Sequence, residues 1–463
     1  MDLIAPEGTA DAPSAETLLA WTRPGPRYTS YPTAPVWQEH FPEADWHAML
    51  EATTPPVSVY VHVPFCKEQC TFCGCTMVVA GRREPGQRYL AALERQLQAL
   101  PLPGQDTVPT VRIHLGGGTP TWFSPDELTR LFALLSTRFA LVPGAEVSVE
   151  ADPDVTTAGH VDALRAAGCT RLSLGVQSFD DRVLEAVHRP QPRAKVGALL
   201  RQARGLGMGG LNLDLMYGLP HQDESSFADT LAEVLELRPD RLAVFGYAHL
   251  PWLKPHMKRI DASTLPGPLD RARLFLQAHR VLTAAGYQAI GLDHFALPDD
   301  ELAVAQRARA LHRNFMGYTT RADLPLIGLG MSAISELEDG YAQQIAHLSR
   351  WWGAVEGGAP TVEKGHRLSA DDRLRRDVIN ALMCNFEVDL AQVGARRGVD
   401  AEAALAGALA ALGPLEADGL VTRDGPALRV PPRGRLLVRN VAMAFDAHLG
   451  PPTPGRPRFS STV

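Results

Sequence analysis

The chain has 463 residues, of which 45% are hydrophobic and 21% are charged, values that are ordinary for a globular protein with a substantial core. Its net charge of −7 argues against a general nucleic-acid binder, which is usually basic. No apolar run reaches the roughly 20 residues that a helix needs to span a membrane, and the acidic N-terminus lacks the basic start of a signal peptide. We therefore expect a cytoplasmic protein with neither membrane nor nucleic-acid partners.

Residues 1–55 predict an irregular arm, because they are rich in proline and show no sustained periodicity. From residue 56 onwards, short apolar or β-branched runs alternate with amphipathic helical patterns, which is typical of parallel βαβ units. The predicted strands are 58–63, 111–116, 146–151, 171–176, 211–218 and 241–247. Six such units can form a partial TIM-type barrel, although the strand count alone does not exclude a doubly wound sheet.

A further strand is predicted at 287–292, and beyond about residue 365 the pattern changes to short helices followed by a possible hairpin. This C-terminal part resembles a winged-helix arrangement. The predicted organisation is therefore an arm over residues 1–55 that covers the active site, an α/β barrel with its extension over 56–364, and a mostly helical domain over 365–463.

Four of the six cysteines lie in the stretch "CKEQCTFCGC", at Cys66, Cys70, Cys73 and Cys75. The stretch follows the first predicted strand, at the end of a parallel sheet where ligands bind. Structural zinc usually takes four ligands in two distant pairs, and no second pair is present. A redox CxxC motif needs only two cysteines. An iron–sulfur cluster held by three thiolates keeps one iron open for a ligand, whereas a fourth thiolate would close it.

Polar or glycine-rich segments end the later strands as well. "HLGGGTPTWF" follows the second strand, and its glycines allow a close approach of backbone to ligand, although a tight turn is the alternative. Glu150, Gln177 and Asp214 end or lie within the next three strands. A carboxylate such as Glu150 can accept hydrogen bonds from ribose hydroxyls. Asp214 stands among apolar residues, where an ionisable group is costly unless it is paired or functional.

These segments together resemble the radical S-adenosylmethionine superfamily, and within it the oxygen-independent coproporphyrinogen III oxidase family. The CxxxCxxC loop, with the aromatic Phe72 before its third cysteine, carries the likeness to the superfamily. The likeness to the narrower family rests on "RYTSYPTA", "SLGVQSF", "NLDLMYGLP", "GLDHFALPDDELAVA" and "NFMGYTT", and it covers nearly the whole chain. The fold that it implies is a partial barrel of the radical S-adenosylmethionine type with a helical C-terminal domain.

The resemblance implies one [4Fe–4S] cluster, held by Cys66, Cys70 and Cys73, and two molecules of S-adenosylmethionine. The residues that it implies around the first molecule are Tyr60, Gly117 and Glu150. Those that it implies around the second are Phe72, Gly118, Thr119, Gln177, Arg189, Asp214, Ala248 and Ile334. Ala248 and Ile334 rest on the resemblance alone, since apolar contacts leave no chemical signature in a sequence.

The implied reaction is the oxidative decarboxylation of two propionate side chains of coproporphyrinogen III to vinyl groups, which gives protoporphyrinogen IX. It requires a low-potential electron donor and an electron acceptor, neither of which the sequence identifies. The candidate cations for the substrate carboxylates are Arg27, Arg313 and Arg321, because arginine can bind a carboxylate through two hydrogen bonds. Without a coiled-coil pattern or a long apolar stripe, we expect a monomer.

The predicted catalytic side chains are Tyr60 and Cys75. We hypothesise that Cys75 faces the substrate or the second cofactor and is not a cluster ligand; a small buried residue after Gly74 is the alternative. The alternative function is a haem-binding chaperone of the same superfamily branch. Such relatives keep the three-cysteine loop but lack the fourth cysteine in this context and the "RYTSYP" arm, and this chain has both.

Overall fold

The computed structural model describes residues 13–102, 107–321, 324–450 and 459–462. Twelve residues of the predicted arm, and residues 451–458 and 463 of the predicted C-terminal domain, therefore lie outside the described residues. Within the described part, no helix is both long and apolar enough to cross a membrane.

The molecule is built around a sheet of thirteen strands, six of which form the predicted parallel series. We label these β1 to β6: Val57–Val63, Val108–Gly117, Phe139–Ala151, Arg171–Gln177, Gly210–Tyr217 and Arg241–Gly246. The strand Leu326–Leu329 pairs in parallel with β1 on its outer side. Beyond it the sheet continues, antiparallel, through Ile334–Leu337, Gly340–Gln344, Val362–Arg367 and Gln38–Glu39. The β/α barrel is therefore partial, as predicted.

The predicted strand at 287–292 is present as Gln288–Gly291, but it does not extend the parallel series. It forms an antiparallel hairpin with His294–Ala296, which in turn pairs antiparallel with β6. Only two residues separate the two strands, and a connection so short cannot make the crossover that parallel pairing needs. The short strands outside the main sheet are Phe65–Cys66, Val78–Val79, His312–Asn314, Gly317–Thr319, Glu387–Asp389, Thr422–Asp424 and Ala427–Arg429.

Helices follow the parallel strands and cover the sheet. They are Glu84–Ala99, Pro125–Ser136, Ala158–Ala166, Asp181–Ala186, Arg193–Gly205, Glu224–Leu237 and Pro268–Ala284. The second helix begins with a capping box, since the Ser124 hydroxyl accepts a hydrogen bond from the Glu127 amide and the Glu127 carboxylate accepts one from the Ser124 amide. Glu84–Ala99 buries Tyr89, Leu93 and Leu97, which are spaced four residues apart and so share one face.

The arm is not irregular throughout, because it contains the helices Ala15–Trp21 and Glu43–Glu51. Its middle part lies against the C-terminal region: the Tyr28 hydroxyl donates to Asp446 at 3.0 Å, and Arg439 Nε donates to the carbonyl of Pro26 at 3.0 Å. Both arginine and tyrosine are buried. Tertiary contacts therefore fix a segment whose own sequence has little periodicity.

The C-terminal region is mostly helical, as predicted. Its helices are Ala370–Asn385, Leu390–Arg397, Ala401–Ala404, Ala406–Ala410, Gly413–Ala417, Pro432–Arg435 and Val438–Met443. Thr422–Asp424 and Ala427–Arg429 form the expected hairpin, to which Glu387–Asp389 adds a third strand. Between barrel and C-terminal region lie Glu301–Arg307 and Leu348–Gly357.

Candidate active site at the ends of the parallel strands

The cysteine loop leaves the C-terminal end of β1 and returns against its own start. The short strand Phe65–Cys66 pairs with Val78–Val79, and the Ala80 amide donates to the carbonyl of Cys66 at 3.0 Å. Within the loop, the Cys73 amide donates to the carbonyl of Cys70 at 3.2 Å. The loop is therefore a closed structure with a hydrogen-bonded turn, and it presents its thiols at the end of the barrel.

Each of the three predicted cluster ligands has a different neighbour. Cys66 Sγ lies 3.4 Å from Thr119 Oγ1, and Cys70 Sγ accepts a hydrogen bond from Arg189 at 3.3 Å. Cys73 Sγ accepts one from the Cys75 amide at 3.4 Å. Donors aimed at sulfur stabilise thiolate over thiol, which is the form that binds iron.

The donor set fits a cluster better than a single ion. A tetrahedral zinc with bonds of about 2.3 Å requires its sulfur ligands within about 4 Å of one another. Among the described residues, no three His, Cys, Asp or Glu side chains are close enough together to hold one metal ion. The charges of Cys70 and Cys73 nevertheless act on Cys66, so the three thiols lie near one another. Three thiolates on one loop can each bind a different iron of a [4Fe–4S] cluster, which is a larger centre than a single ion.

Arg189 lies behind the loop and is held from several sides. It donates to the carbonyl of Gly175 at 2.6 Å and pairs with Asp152 at 3.2 Å, in addition to its contact with Cys70. Burial alone would lower its pKa, but Asp152 and the thiols raise the pKa above its ordinary value. Arg189 is therefore a permanent positive charge beside the thiols, and Asp152, which the sequence reasoning missed, orients it.

Three glycines at the end of β2 allow neighbouring groups of β1, β3 and the start of the cysteine loop to approach its backbone closely. A Cβ on Gly116 would lie 2.9 Å from the Glu150 carboxylate, and one on Gly117 would lie 2.6 Å from the ring of His62. A Cβ on Gly118 would lie 2.5 Å from the carbonyl oxygen of Pro64. Gly117 also has a φ of +118°, a conformation that side chains disfavour. The "GGG" segment is thus required by close packing as well as by its turn.

Two histidines contact Tyr60, and one of them, His114, also contacts Glu150. The His62 Nε2 donates to the carbonyl of Thr76 at 2.8 Å, which leaves Nδ1 free to accept from the Tyr60 hydroxyl at 3.0 Å. Burial raises the pKa of Tyr60, so it remains a neutral phenol. The Tyr60 ring stacks on His114 with centroids 5.9 Å apart, and His114 contacts Glu150 at 3.4 Å.

Glu150 also accepts a hydrogen bond from the Gly117 amide at 3.2 Å. Burial would raise its pKa, but His114 and this amide lower the pKa below its ordinary value. The carboxylate is therefore ionised, and 44% of its side chain remains open. An ionised, partly open carboxylate at a strand end is suited to accept hydrogen bonds from a ligand's hydroxyls.

Asp214 lies further along the same row of strand ends. It accepts hydrogen bonds from Asn212 at 2.7 Å and from Ser173 at 3.3 Å. Burial first, and then the charge of Glu150, raise its pKa to about 7. Gln177 follows on β4 with a φ of +69°, and its amide is close to Gly175. Asp214 and Gln177 therefore lie on the neighbouring strands β5 and β4, and Gln177 is close to Arg189, which also contacts Gly175.

The remaining predicted residues occupy different surroundings. Phe72 is partly buried and packs against an apolar cluster that contains Val183, Val187 and Met257. Ala248 follows β6 and lines a large cavity. Ile334 begins an antiparallel strand and packs against a different apolar cluster, which contains Trp37, Tyr341 and Leu368.

Cys75 is in direct contact with Cys73, because both its thiol and its backbone amide donate hydrogen bonds to the Cys73 sulfur. Its other neighbours include Glu150 and Tyr60, and the charge of Cys75 raises the pKa of Tyr60. Cys169 and Cys384, the two cysteines outside the loop, are buried. The four thiols of the stretch therefore form one cluster, and the separate role of Cys75 stays a prediction.

Sequence reasoning did not find His62, His114, Asp152, Ser173 or Asn212 as supporting residues. One signal was available: Tyr60 and His62 are two residues apart on a strand and so share a face. The others depend on register, in which Tyr60 aligns with His114 and His114 with Ser148. Such register across parallel strands cannot be read from the spacing within any one of them.

Comparison with known proteins agrees with this geometry. Residues 60–234 match the model of the radical SAM superfamily, and residues 368–437 match that of the HemN C-terminal domain. The oxygen-independent coproporphyrinogen III oxidase of Salmonella typhimurium is 45% identical over 92% of this chain and 93% of its own. The protein of the same name from Escherichia coli is 44% identical over the same shares.

A solved structure, described as coproporphyrinogen III oxidase (HemN) from Escherichia coli, a radical SAM enzyme, superposes with a TM-score of 0.90 at 41% identity. The match covers 95% of this chain and 100% of that one. Similarity of this extent includes the barrel, the arm and the C-terminal region. The chain therefore belongs to the oxygen-independent coproporphyrinogen III oxidase family of radical SAM enzymes.

Proposed function

We propose that the chain converts coproporphyrinogen III to protoporphyrinogen IX, by oxidative decarboxylation of two propionates to vinyl groups. Each propionate loses one β-hydrogen atom, one electron and its carboxyl carbon as carbon dioxide, so each event is a two-electron oxidation. The observation that carries the proposal is the cysteine loop at the C-terminal end of β1, in which Cys70 accepts a hydrogen bond from the buried Arg189 and the charges of Cys70 and Cys73 act on Cys66. Three thiolates leave one iron of a cluster open, as radical chemistry requires.

In this proposal Cys66, Cys70 and Cys73 hold a [4Fe–4S] cluster. When bound, the cluster together with S-adenosylmethionine supplies a 5′-deoxyadenosyl radical that removes the hydrogen atom. We further propose that two molecules of S-adenosylmethionine bind. The residues proposed for the first are Tyr60, Gly117 and Glu150. Those proposed for the second are Phe72, Gly118, Thr119, Gln177, Arg189, Asp214, Ala248 and Ile334.

The chain's own residues have three tasks here. The "GGG" segment brings the backbone of β2 close to the ligand, and Glu150, kept ionised by His114, accepts hydrogen bonds from hydroxyl groups. Arg189 neutralises charge beside the thiols. Tyr60 is held as a neutral phenol by burial and donates its one O–H to His62, so its oxygen remains able to accept a hydrogen bond from a ligand.

The decisive experiment is an anaerobic assay for protoporphyrinogen, using reconstituted protein with S-adenosylmethionine and a low-potential reductant. Cys70→Ser should lose both its iron and its activity, because a cluster ligand is removed. The matched control is Cys169→Ser, which changes a buried thiol outside the loop and should keep iron and activity. Full activity in the Cys70 variant, or no product from the wild type, would refute the proposal.

The proposed role of Cys75 has its own test. Cys75→Ser should retain the iron content of the wild type but fail to form vinyl groups, because the three other thiols of the loop remain to hold the cluster. Loss of iron from this variant would instead make Cys75 a ligand.

A haem-binding chaperone of the same superfamily branch is the alternative function. It would bind haem tightly and leave coproporphyrinogen unchanged in the assay above. The names of the relatives favour the oxidase. We also propose that the protein acts as a monomer in the cytoplasm, where clustered cysteines bind metal more often than they form disulfides. It would receive electrons from a low-potential donor and pass the last electron to an acceptor that is not identified.

A further inference from the structure

A cavity of about 340 Å³ opens beyond the C-terminal ends of β5 and β6. Its walls come from the arm, from these strand ends, from the helix Pro268–Ala284 and from the end of the chain at 459–462. Ala248, one of the residues proposed for the second S-adenosylmethionine, is part of the wall. The cavity therefore begins where the proposed cofactor region ends, and its volume is within the range of small-molecule sites.

Positive charge dominates this cavity. Arg27, Arg271 and Arg439 line it, and Asp293 is the one carboxylate among the described residues of its wall. Asp293 is already paired with Arg27 and accepts a hydrogen bond from His294 at 2.7 Å. The walls therefore carry an excess of two positive charges before any ligand enters.

A further arginine increases the excess from behind the wall. Arg313 is only 4% exposed, and its Nε and Nη1 have no hydrogen-bond partner among the described residues. It stacks on the ring of Tyr318, 4.7 Å from the centroid. Burial first, and then the charges of Arg313 and Arg439, lower the pKa of Arg27 to about 9. Cations crowded in this way destabilise one another, and an anion placed between them would relieve the repulsion.

The four arginines are not equally available to a ligand. Arg439 donates to the carbonyls of Pro26 and Ser461, so it ties the arm to the end of the chain. Arg27 is held by Asp293. Arg271 lines the cavity, and the described part of the chain offers its guanidinium neither a hydrogen bond nor an ion pair. Arg271 is therefore the cation whose donors are free to meet an incoming carboxylate.

The rest of the wall suits a flat, mostly apolar molecule. Phe275, Leu292 and Trp252 contribute apolar surface, and Trp252 is 46% exposed. The hydroxyl of Tyr217 adds a polar group near Gly246 at the end of β6. Apolar surface with a few converging cations matches the edge of a tetrapyrrole that bears carboxylates.

We propose that this cavity binds a propionate-bearing edge of the tetrapyrrole substrate, with Arg271 as the direct carboxylate ligand. Arg27, Arg439 and Arg313 supply the surrounding positive potential. The inference rests on the proposed function and adds residues to it. Of the three arginines that the sequence suggested, Arg27 and Arg313 belong to this cluster, whereas Arg321 is exposed elsewhere.

The test measures binding without turnover. Coproporphyrin III, the stable oxidised tetracarboxylate, is titrated into the holoprotein and followed by its fluorescence. Arg271→Gln should weaken binding roughly ten- to a hundredfold, which corresponds to one lost charge-assisted hydrogen-bonded contact. The matched control is Arg273→Gln on the same helix, because Arg273 is exposed and pairs with Asp270. Arg271→Lys keeps the charge and should recover much of the affinity.

A dicarboxylate porphyrin should lose less affinity than coproporphyrin III when Arg271 is replaced. In the anaerobic assay, the KM of Arg271→Gln should rise by the factor measured in binding. Wild-type affinity in this variant, or an equal loss in Arg273→Gln, would overturn the site and leave the proposed function standing. Conversely, Arg271-dependent binding by a wild type that forms no vinyl groups would support the carboxylate site and refute the proposed function.

Discussion

Replacement of Gly117 by alanine would test whether close packing at the end of β2 holds the site together. The new Cβ would lie 2.6 Å from the His62 ring, a distance that real Cβ atoms do not show, so the ring must move. His62 joins the Tyr60 hydroxyl to the carbonyl of Thr76 by hydrogen bonds of 3.0 and 2.8 Å. Movement of the ring therefore breaks the contact between β1 and the end of the cysteine loop.

The magnitude follows from two contributions. A side chain at a φ of +118° costs about 1–3 kcal/mol in backbone strain. Two buried hydrogen bonds whose partners are left unpaired cost about 1–3 kcal/mol each. Gly144→Ala is the matched control, because Gly144 has a φ of +78° and a Cβ there would meet nothing within 4 Å. The control should therefore show only the strain, and Gly117→Ala should exceed it by about 2–6 kcal/mol.

Both variants are measured by anaerobic urea unfolding, and their binding of S-adenosylmethionine by equilibrium titration. Gly117→Ala should lose binding as well as stability, since Tyr60 and Glu150 depend on the same segment. Gly144→Ala should bind as the wild type does. Equal losses of stability in the two variants would show that strain alone explains the glycine, and the packing argument would then be wrong.

Three further predictions concern single side chains. Asp214, with its pKa raised to about 7, stays protonated in the folded protein between about pH 4 and 7, whereas in the unfolded chain it is ionised over that range. The free energy of unfolding must therefore fall as the pH rises across this window. Urea unfolding at pH 5 and pH 8 should show a smaller fall in Asp214→Asn than in the wild type. Arg189→Met should weaken cluster retention about tenfold or more, as iron per chain after reconstitution, whereas Arg182→Met, at an exposed contact, should retain wild-type iron. Ser124→Ala should cost about 1 kcal/mol in unfolding free energy, because it removes the cap of its helix; an unchanged midpoint would contradict this.

Much of the fold could be predicted because its signals are local. The six parallel strands each contain an apolar run, and the helices between them repeat apolar residues on one face. The strand Gln288–Gly291 could be predicted from its composition, but its antiparallel pairing with His294–Ala296 depends on the partner strand. The helices of the arm were missed because Ala15–Trp21 and Glu43–Glu51 are short and are stabilised by packing against other elements.

The candidate site shows the same division. Chemistry that is concentrated in a few adjacent residues, such as Cys66, Cys70 and Cys73, is visible in the sequence, because one loop must supply all the ligands. Residues that act through neighbours are not visible, since His114 supports Glu150 only through the register of β2 and β3. Nor does sequence spacing separate Cys75 from its neighbours.

By itself, the sequence determined the alternation of strands and helices, the cysteine loop and its place after the first strand, because each follows from local pattern and from the direction of parallel strands. Only the tertiary structure decided which distant side chains meet. It brought Arg27, Arg271 and Arg439 from the arm, a barrel helix and the C-terminal region to one cavity, and it placed Arg313, on a short strand, near enough for its charge to act on Arg27. Crowding of charges across such separations depends on how the elements pack, and no local propensity encodes it.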